Sequence, residues 1–102
     1  MKTEIENYLI AINNAYINWG VITSPEGLKK FEEALRIDDG SNYIKVVTGT
    51  SVHSFIVKKD GPKFKKGDIL KAASWKAPAK NFARGNIFDV DSYKNVQWSG
   101  IF

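Results

Sequence analysis

The sequence predicts one α+β domain in which two N-terminal helices pack on an antiparallel sheet of about five strands. Three observations predict it. Apolar residues recur at helical spacing as far as Leu35. From Asn42 onward they gather instead into short β-branched and aromatic runs. The turns between these segments are short, and 102 residues suit one hydrophobic core rather than two.

Thr3-Glu4-Ile5-Glu6 has the form of a capping box, in which side chains satisfy the unpaired amides of a helix start. Ile5, Tyr8, Leu9, Ile12, Tyr16 and Trp19 then follow at spacings of three and four, and Gly20 offers a stop. Ser24 before Pro25 marks a second start, with a capping hydroxyl followed by a residue whose φ is preset. Leu28, Phe31 and Leu35 form the apolar stripe of this second helix, and Asp38-Asp39-Gly40-Ser41 reads as a turn. Tyr43–Val47 and Val52–Val57 read as strands of a hairpin turning at Gly49. Ile69-Leu70 follows the turns around Gly61 and Gly67, while Asn86–Val90 and Asn95–Trp98 read as closing strands.

Charge is distributed unevenly. The formal net charge is +4, yet residues 1–40 are net acidic and no glutamate follows Glu33. The basic second part calls for an anionic partner, or for contact with the acidic part of another copy. Cysteine is absent, which removes disulfides and thiolate metal sites and suits a reducing compartment. The N-terminus has no apolar signal region and no run is long enough to span a bilayer. A soluble cytoplasmic protein is the expectation.

The segment 71–86 fits neither structural period. Pro78 disfavours a helix through its centre, and the alanines at 72, 73, 77, 79 and 83 leave room for close approach. Among them stand Lys71, Lys76, Lys80 and Arg84, interleaved with Trp75, Phe82, Asn81 and Asn86. Ammonium and guanidinium groups suit phosphate oxygens. Flat rings suit a base face, where stacking contributes about 1–3 kcal/mol. The two amide side chains could read a base edge or ribose hydroxyls. The competing reading buries Trp75 and Phe82 as core residues beneath a solvated loop. No Walker loop or dinucleotide fingerprint occurs, because the glycines are too dispersed.

The residues argue for a binder rather than an enzyme. His53 is the only histidine and falls on a predicted strand, where packing is its ordinary role. Ser51 and Ser54 flank it without a well-placed acid, and no nucleophile elbow is present. Asp89 and Asp91 could share a strand face as a weak cation site. Lys71 or Lys76 would act as a nucleophile only if burial depressed its pKa. No catalytic residue, metal or cofactor is predicted. The apolar end Trp98-Ser-Gly-Ile101-Phe102 suggests a subunit interface, hence a homo-oligomer.

Phe64–Leu70 followed by Lys71–Asn86 resembles small proteins encoded by tailed bacteriophages. Among families it is most similar to the phage Thoeris anti-defence sponges, which sequester cyclic ADP-ribose isomers and some cyclic oligonucleotides. The resemblance covers residues 64–86. It implies a helical N-terminus, an antiparallel β core, symmetric oligomers with pockets between subunits, and a non-hydrolysing nucleotide trap in an infected host's cytoplasm. A single-stranded nucleic-acid binder and a protein-interaction or inhibitor module are the alternatives.

Overall fold

The computed structural model describes residues 2–19, 25–49, 51–80, 82–89, 91–92, 96–97 and 100–101. Asn81, the predicted cap Ser24, the helix stop Gly20, and Val90, Asn95, Trp98 and Phe102 lie outside the described residues.

Helix α1 spans Lys2–Trp19 and helix α2 spans Pro25–Ala34. The inward residues of α1 are those the periodicity selects: Ile5, Tyr8, Ile12 and Tyr16 are buried, while Ile10 and Ile17 on its outer side are exposed. Helix α2 docks through Phe31, whose ring stacks on Tyr16 at 3.9 Å and packs on the main core.

Five strands follow in a meander: β1 (Leu35–Asp39), β2 (Tyr43–Thr48), β3 (Ser51–Val57), β4 (Asp68–Lys71) and β5 (Gly85–Asn86). They form one antiparallel sheet in chain order. Two short strands, β6 (Val96–Gln97) and β7 (Gly100–Ile101), pair separately, with β6 against α1 and β7 against β3 and β4. The predicted order of two helices followed by a five-stranded antiparallel sheet is the observed one.

Its strand membership differs from expectation in three places. Leu35 leaves the helix and opens β1, paired with Thr48, although it still packs on the core that its helical spacing suggested. The Ala34 carbonyl accepts the Gly49 amide at 2.9 Å, so the chain enters the sheet without a linker. Asp38 and Asp39 are strand residues for the same reason, paired with Lys45 and Ile44. The strand predicted over 86–90 stops at Asn86. There the Asn86 side chain accepts the Phe88 amide at 2.8 Å, and its carbonyl accepts the Asp89 amide at 3.0 Å. Local bonding of this kind competes with a ladder and makes a turn.

One face of the sheet meets α1. Ile44, Val46, Ile56 and Ile69 pack there with Ile5, Tyr8 and Ile12, joined by Ile87 and Val96. Each such fully buried side chain stabilises the fold by about 1.5–3 kcal/mol. A bulge interrupts the β2–β3 pairing, where Val46 faces Ser54 but Val47 faces Val52, leaving His53 as the extra residue. His53 and Ser54 are both buried beside Tyr8. The Tyr8 hydroxyl lies 2.7 Å from Ser54 Oγ, which lies 2.9 Å from His53 Nδ1. Lone burial of any of these groups would cost about 1–3 kcal/mol, so they are met as a set. His53 is therefore a packed strand residue inside the helix-covered face.

Candidate functional site

The opposite face carries a second apolar cluster of Phe55, Val57 and Leu70, with Tyr43, Val52, Phe64, Ala72 and Ala83 packed on it. No helix covers it among the described residues; segments 58–67 and 72–84 do. Strand alternation explains its contents. Asp38, Lys45, Phe55 and Leu70 are paired in register across four strands and so share this side, as do Tyr43 and Val57.

The first covering segment is shaped by its acids. Asp60 Oδ1 accepts the Lys66 amide at 2.8 Å, and Asp68 Oδ2 accepts the Lys65 amide at 2.9 Å. Gly67 turns the chain with φ of 90°, and a Cβ there would meet the Phe88 ring at 2.6 Å. The carboxylates are thus spent on backbone, while Lys59, Lys63, Lys65 and Lys66 stand exposed.

The second segment is a narrow excursion. Ala72 bridges Pro78, the Ala79 amide donates to the Lys71 carbonyl, and the amides of Ala73 and Ser74 donate to the Ala77 carbonyl. Trp75 and Lys76 occupy its exposed tip. The amine of Lys63 donates to the Lys80 carbonyl and ties the two segments together.

Among the described residues, three hollows lie between and beside them. A cleft of about 490 Å³ is lined by Tyr43, Val57, Phe64, Lys59, Lys63 and Lys80, with Asn42 and Asp60 at its margin. A neighbour of about 390 Å³ shares Asn42 and Tyr43 and adds Lys45, Phe55, Lys76, Asp38 and Asp39. A third, about 310 Å³, lies between Val52, Ala72 and Trp75. The first falls within the usual size of a small-molecule site. Its floor is ring and hydrocarbon, with Tyr43 set edge-on to Phe55 at 6.0 Å. Its rim is amine, and Lys80 Nζ stands 6.0 Å from the Tyr43 ring. In the second cleft Lys45 Nζ lies 4.7 Å from the Trp75 ring. Asp39 there is engaged by Lys58 at 2.6 Å, and Asp38 by Arg36 at 3.8 Å.

The residues singled out from sequence are divided among these places. Lys80 lines the first cleft, Lys76 the second and Trp75 the third. Trp75 is 44% exposed and Phe82 55%, so neither is sealed in the core. Phe82 instead pairs with Arg84, whose guanidinium lies 3.9 Å from its ring. Arg84 Nε is buried and lacks a hydrogen-bond partner among the described residues. Lys71 pairs with Ser54, on the helix side of the sheet, because it alternates with Leu70. Asn86 is structural: its amide donates to the Lys66 carbonyl and Asp68 Oδ1 at 3.1 and 3.0 Å. The described residues of the segment therefore do not converge on one concavity. Asp89 and Asp91 are likewise not strand partners; the Asp91 amide donates to Asp89 Oδ1 at 3.0 Å within a turn. Among the described residues no three of His, Cys, Asp or Glu gather as a metal group, and no helix is long and apolar enough to cross a membrane.

Tyr43, Lys45 and Phe64 were not singled out by the sequence, whereas Lys59 and Lys63 stood out there only as added positive charge upstream of the segment. The alternation of Tyr43, Lys45 and Val47 along one strand was the available signal, since it puts a ring and an amine on one side.

A family model matches residues 6–102, which covers α1 from Glu6 onward and every later element through β7. The chain belongs to that family of unknown function (DUF7717). No curated protein and no solved structure matches the chain. Both faces of the sheet, and all three hollows, lie within the unit that defines the DUF7717 family.

Proposed function

We propose that this DUF7717 protein binds an anionic, nucleotide-like small molecule without transforming it, and that Tyr43 lies at the centre of the site. The single observation that carries the reading is the first cleft, where an aromatic and aliphatic floor is rimmed by three lysines. A base or similar flat group rests against Tyr43 and Phe64. Phosphate oxygens meet the amines of Lys59, Lys63 and Lys80, with Lys45 and Lys76 serving the adjoining cleft. The resemblance of residues 64–86 to phage anti-defence sponges narrows the ligand class to cyclic nucleotides or ADP-ribose-type signals. On this reading the protein is a homo-oligomeric trap in a host cytoplasm.

Thermal melts across cyclic nucleotides, ADP-ribose derivatives and inorganic phosphate test it. A ligand at a hundred times its Kd adds about 2.7 kcal/mol of stability, a rise on the order of 10 °C for a domain this size. Tyr43→Ala removes that response while the unliganded melt stays cooperative. A panel that leaves the melting temperature unmoved overturns the reading.

The exposure of both Trp75 and Phe82, each beside a cation, favours one second reading: a single-stranded nucleic acid laid across the loop. Gel shifts at rising salt separate the two. A strand contacting several phosphates loses affinity linearly with log salt, whereas a pocket-bound nucleotide loses little.

A further inference from the structure

The two edges of the main sheet are unlike. Strand β5 spans Gly85–Asn86 and gives way at once to a turn. Strand β1 is five residues long, and Arg36, Ile37, Asp38 and Asp39 are all exposed. A long open edge is a template for another strand unless something guards it.

The direction of its backbone groups follows from the pairing. The Gly49 amide donates to the Ala34 carbonyl, and the Gly40 amide donates to the Tyr43 carbonyl. Both pairs continue the β1–β2 register, and in an antiparallel ladder bonded pairs recur at every second residue. Arg36 and Asp38 therefore spend their amides and carbonyls on β2. Leu35, Ile37 and Asp39 turn theirs outward.

The side chains on this edge are self-complementary. We propose that β1 pairs antiparallel with β1 of a second copy about a two-fold axis through Ile37, making one continuous sheet across both. Ile37 then faces the partner's Ile37, and Leu35 and Asp39 exchange backbone bonds with the partner's Asp39 and Leu35. On the other side of the sheet Arg36 stands opposite the partner's Asp38, and Asp38 opposite the partner's Arg36. Charged residues usually protect an edge, but here they select a register. Sliding by one step sets Arg36 against the partner's Arg36, or Asp38 against the partner's Asp38, and like charges directly opposite are destabilising. The axis stands perpendicular to the sheet, so both copies of α1 lie on one side. There the paired isoleucines meet a groove of about 310 Å³ between α1 and β1, lined by Ile5, Leu9, Ile37 and Ile44. The contact is isologous and closes on itself, as a two-fold dimer requires.

Sedimentation equilibrium from low to high micromolar concentration tests this without any ligand. The wild-type chain reaches twice its mass of 11.5 kDa. Arg36→Asp and Asp38→Arg each fall back toward the chain mass, and the double exchange restores the dimer. Ile37→Pro also remains at the chain mass with an unchanged far-UV spectrum, because the lost amide faces outward and not toward β2. If that variant fails to fold, the charge series decides. A wild type at the chain mass throughout overturns the proposal. Single-charge variants that stay dimeric, or a double exchange that stays dissociated, do the same. Arg36 lines neither the cleft around Lys80 nor the adjoining one, whereas Asp38 lines the latter, so Arg36→Asp is the variant that separates the two: nucleotide binding can fail while this pairing stands, and the reverse.

Discussion

The two sides of the main sheet are built from the same strands and put to different uses. On the α1 side Ile44, Val46, Ile56 and Ile69 meet the helix in an aliphatic layer that opens only in the groove at the β1 edge, and Tyr8, Ser54 and His53 satisfy one another within it. On the far side Tyr43, Lys45, Phe55 and Phe64 meet loops, and hollows open between them. A helix can seal a face because its side chains interdigitate along its whole length. A pair of short loops held by backbone and carboxylate bonds cannot, so rings and amines stay within reach of solvent. One face thus supplies stability, and the other is the face to which the proposed recognition is assigned.

That contrast can be broken most severely from the closed side. Ile56→Ala removes a fully buried side chain and costs about 2–5 kcal/mol in urea unfolding. An unchanged midpoint would mean the layer is not packed as described. Gly67→Ala comes next, because both the positive φ and the Phe88 ring oppose a Cβ. A loss of at least about 1 kcal/mol is expected, measured in the same way. Tyr8→Phe leaves Ser54 and His53 without their hydroxyl partner and costs about 1–2 kcal/mol.

The far side responds in the opposite sense. Trp75→Ala at the exposed loop tip shifts stability by less than about 0.5 kcal/mol, yet it lowers affinity for a ligand reaching the clefts beside Lys45. Lys80→Ala is the smallest change in stability and weakens phosphate-bearing ligands more than their nucleosides, as calorimetric titration of each pair would read. Equal losses for nucleotide and nucleoside would place the phosphate elsewhere.

Much of the scaffold was legible in the residue order. Ile5, Tyr8 and Ile12 recur at helical spacing, and Gly49 between two β-branched runs announces the hairpin that its φ of 65° completes. Strand β1 was hidden because Leu35 lies four residues after Phe31, as a helical stripe would have it, and Asp38-Asp39-Gly40 resembles a turn. Only the partner strand reveals the alternation of Leu35, Ile37 and Asp39. The site was legible as an inventory, not as a place. Lys76, Lys80 and Trp75 reach the open face, but Lys71 falls on the other side by one step of alternation. Asn86 is claimed by its own turn. Tyr43 and Phe64 come from distant segments, and their meeting depends on the sheet register and on the loop that Asp60 and Asp68 fold.

Amide-resolved NMR titration of the isotope-labelled protein with the nucleotide giving the largest thermal rise measures recognition by the open face directly. Shifts should concentrate at Asn42–Lys45, Lys59–Phe64 and Lys76–Lys80 and leave Ile5–Tyr16 undisturbed. Changes centred on α1, or none with any nucleotide at millimolar concentration, would contradict the assignment of recognition to that face.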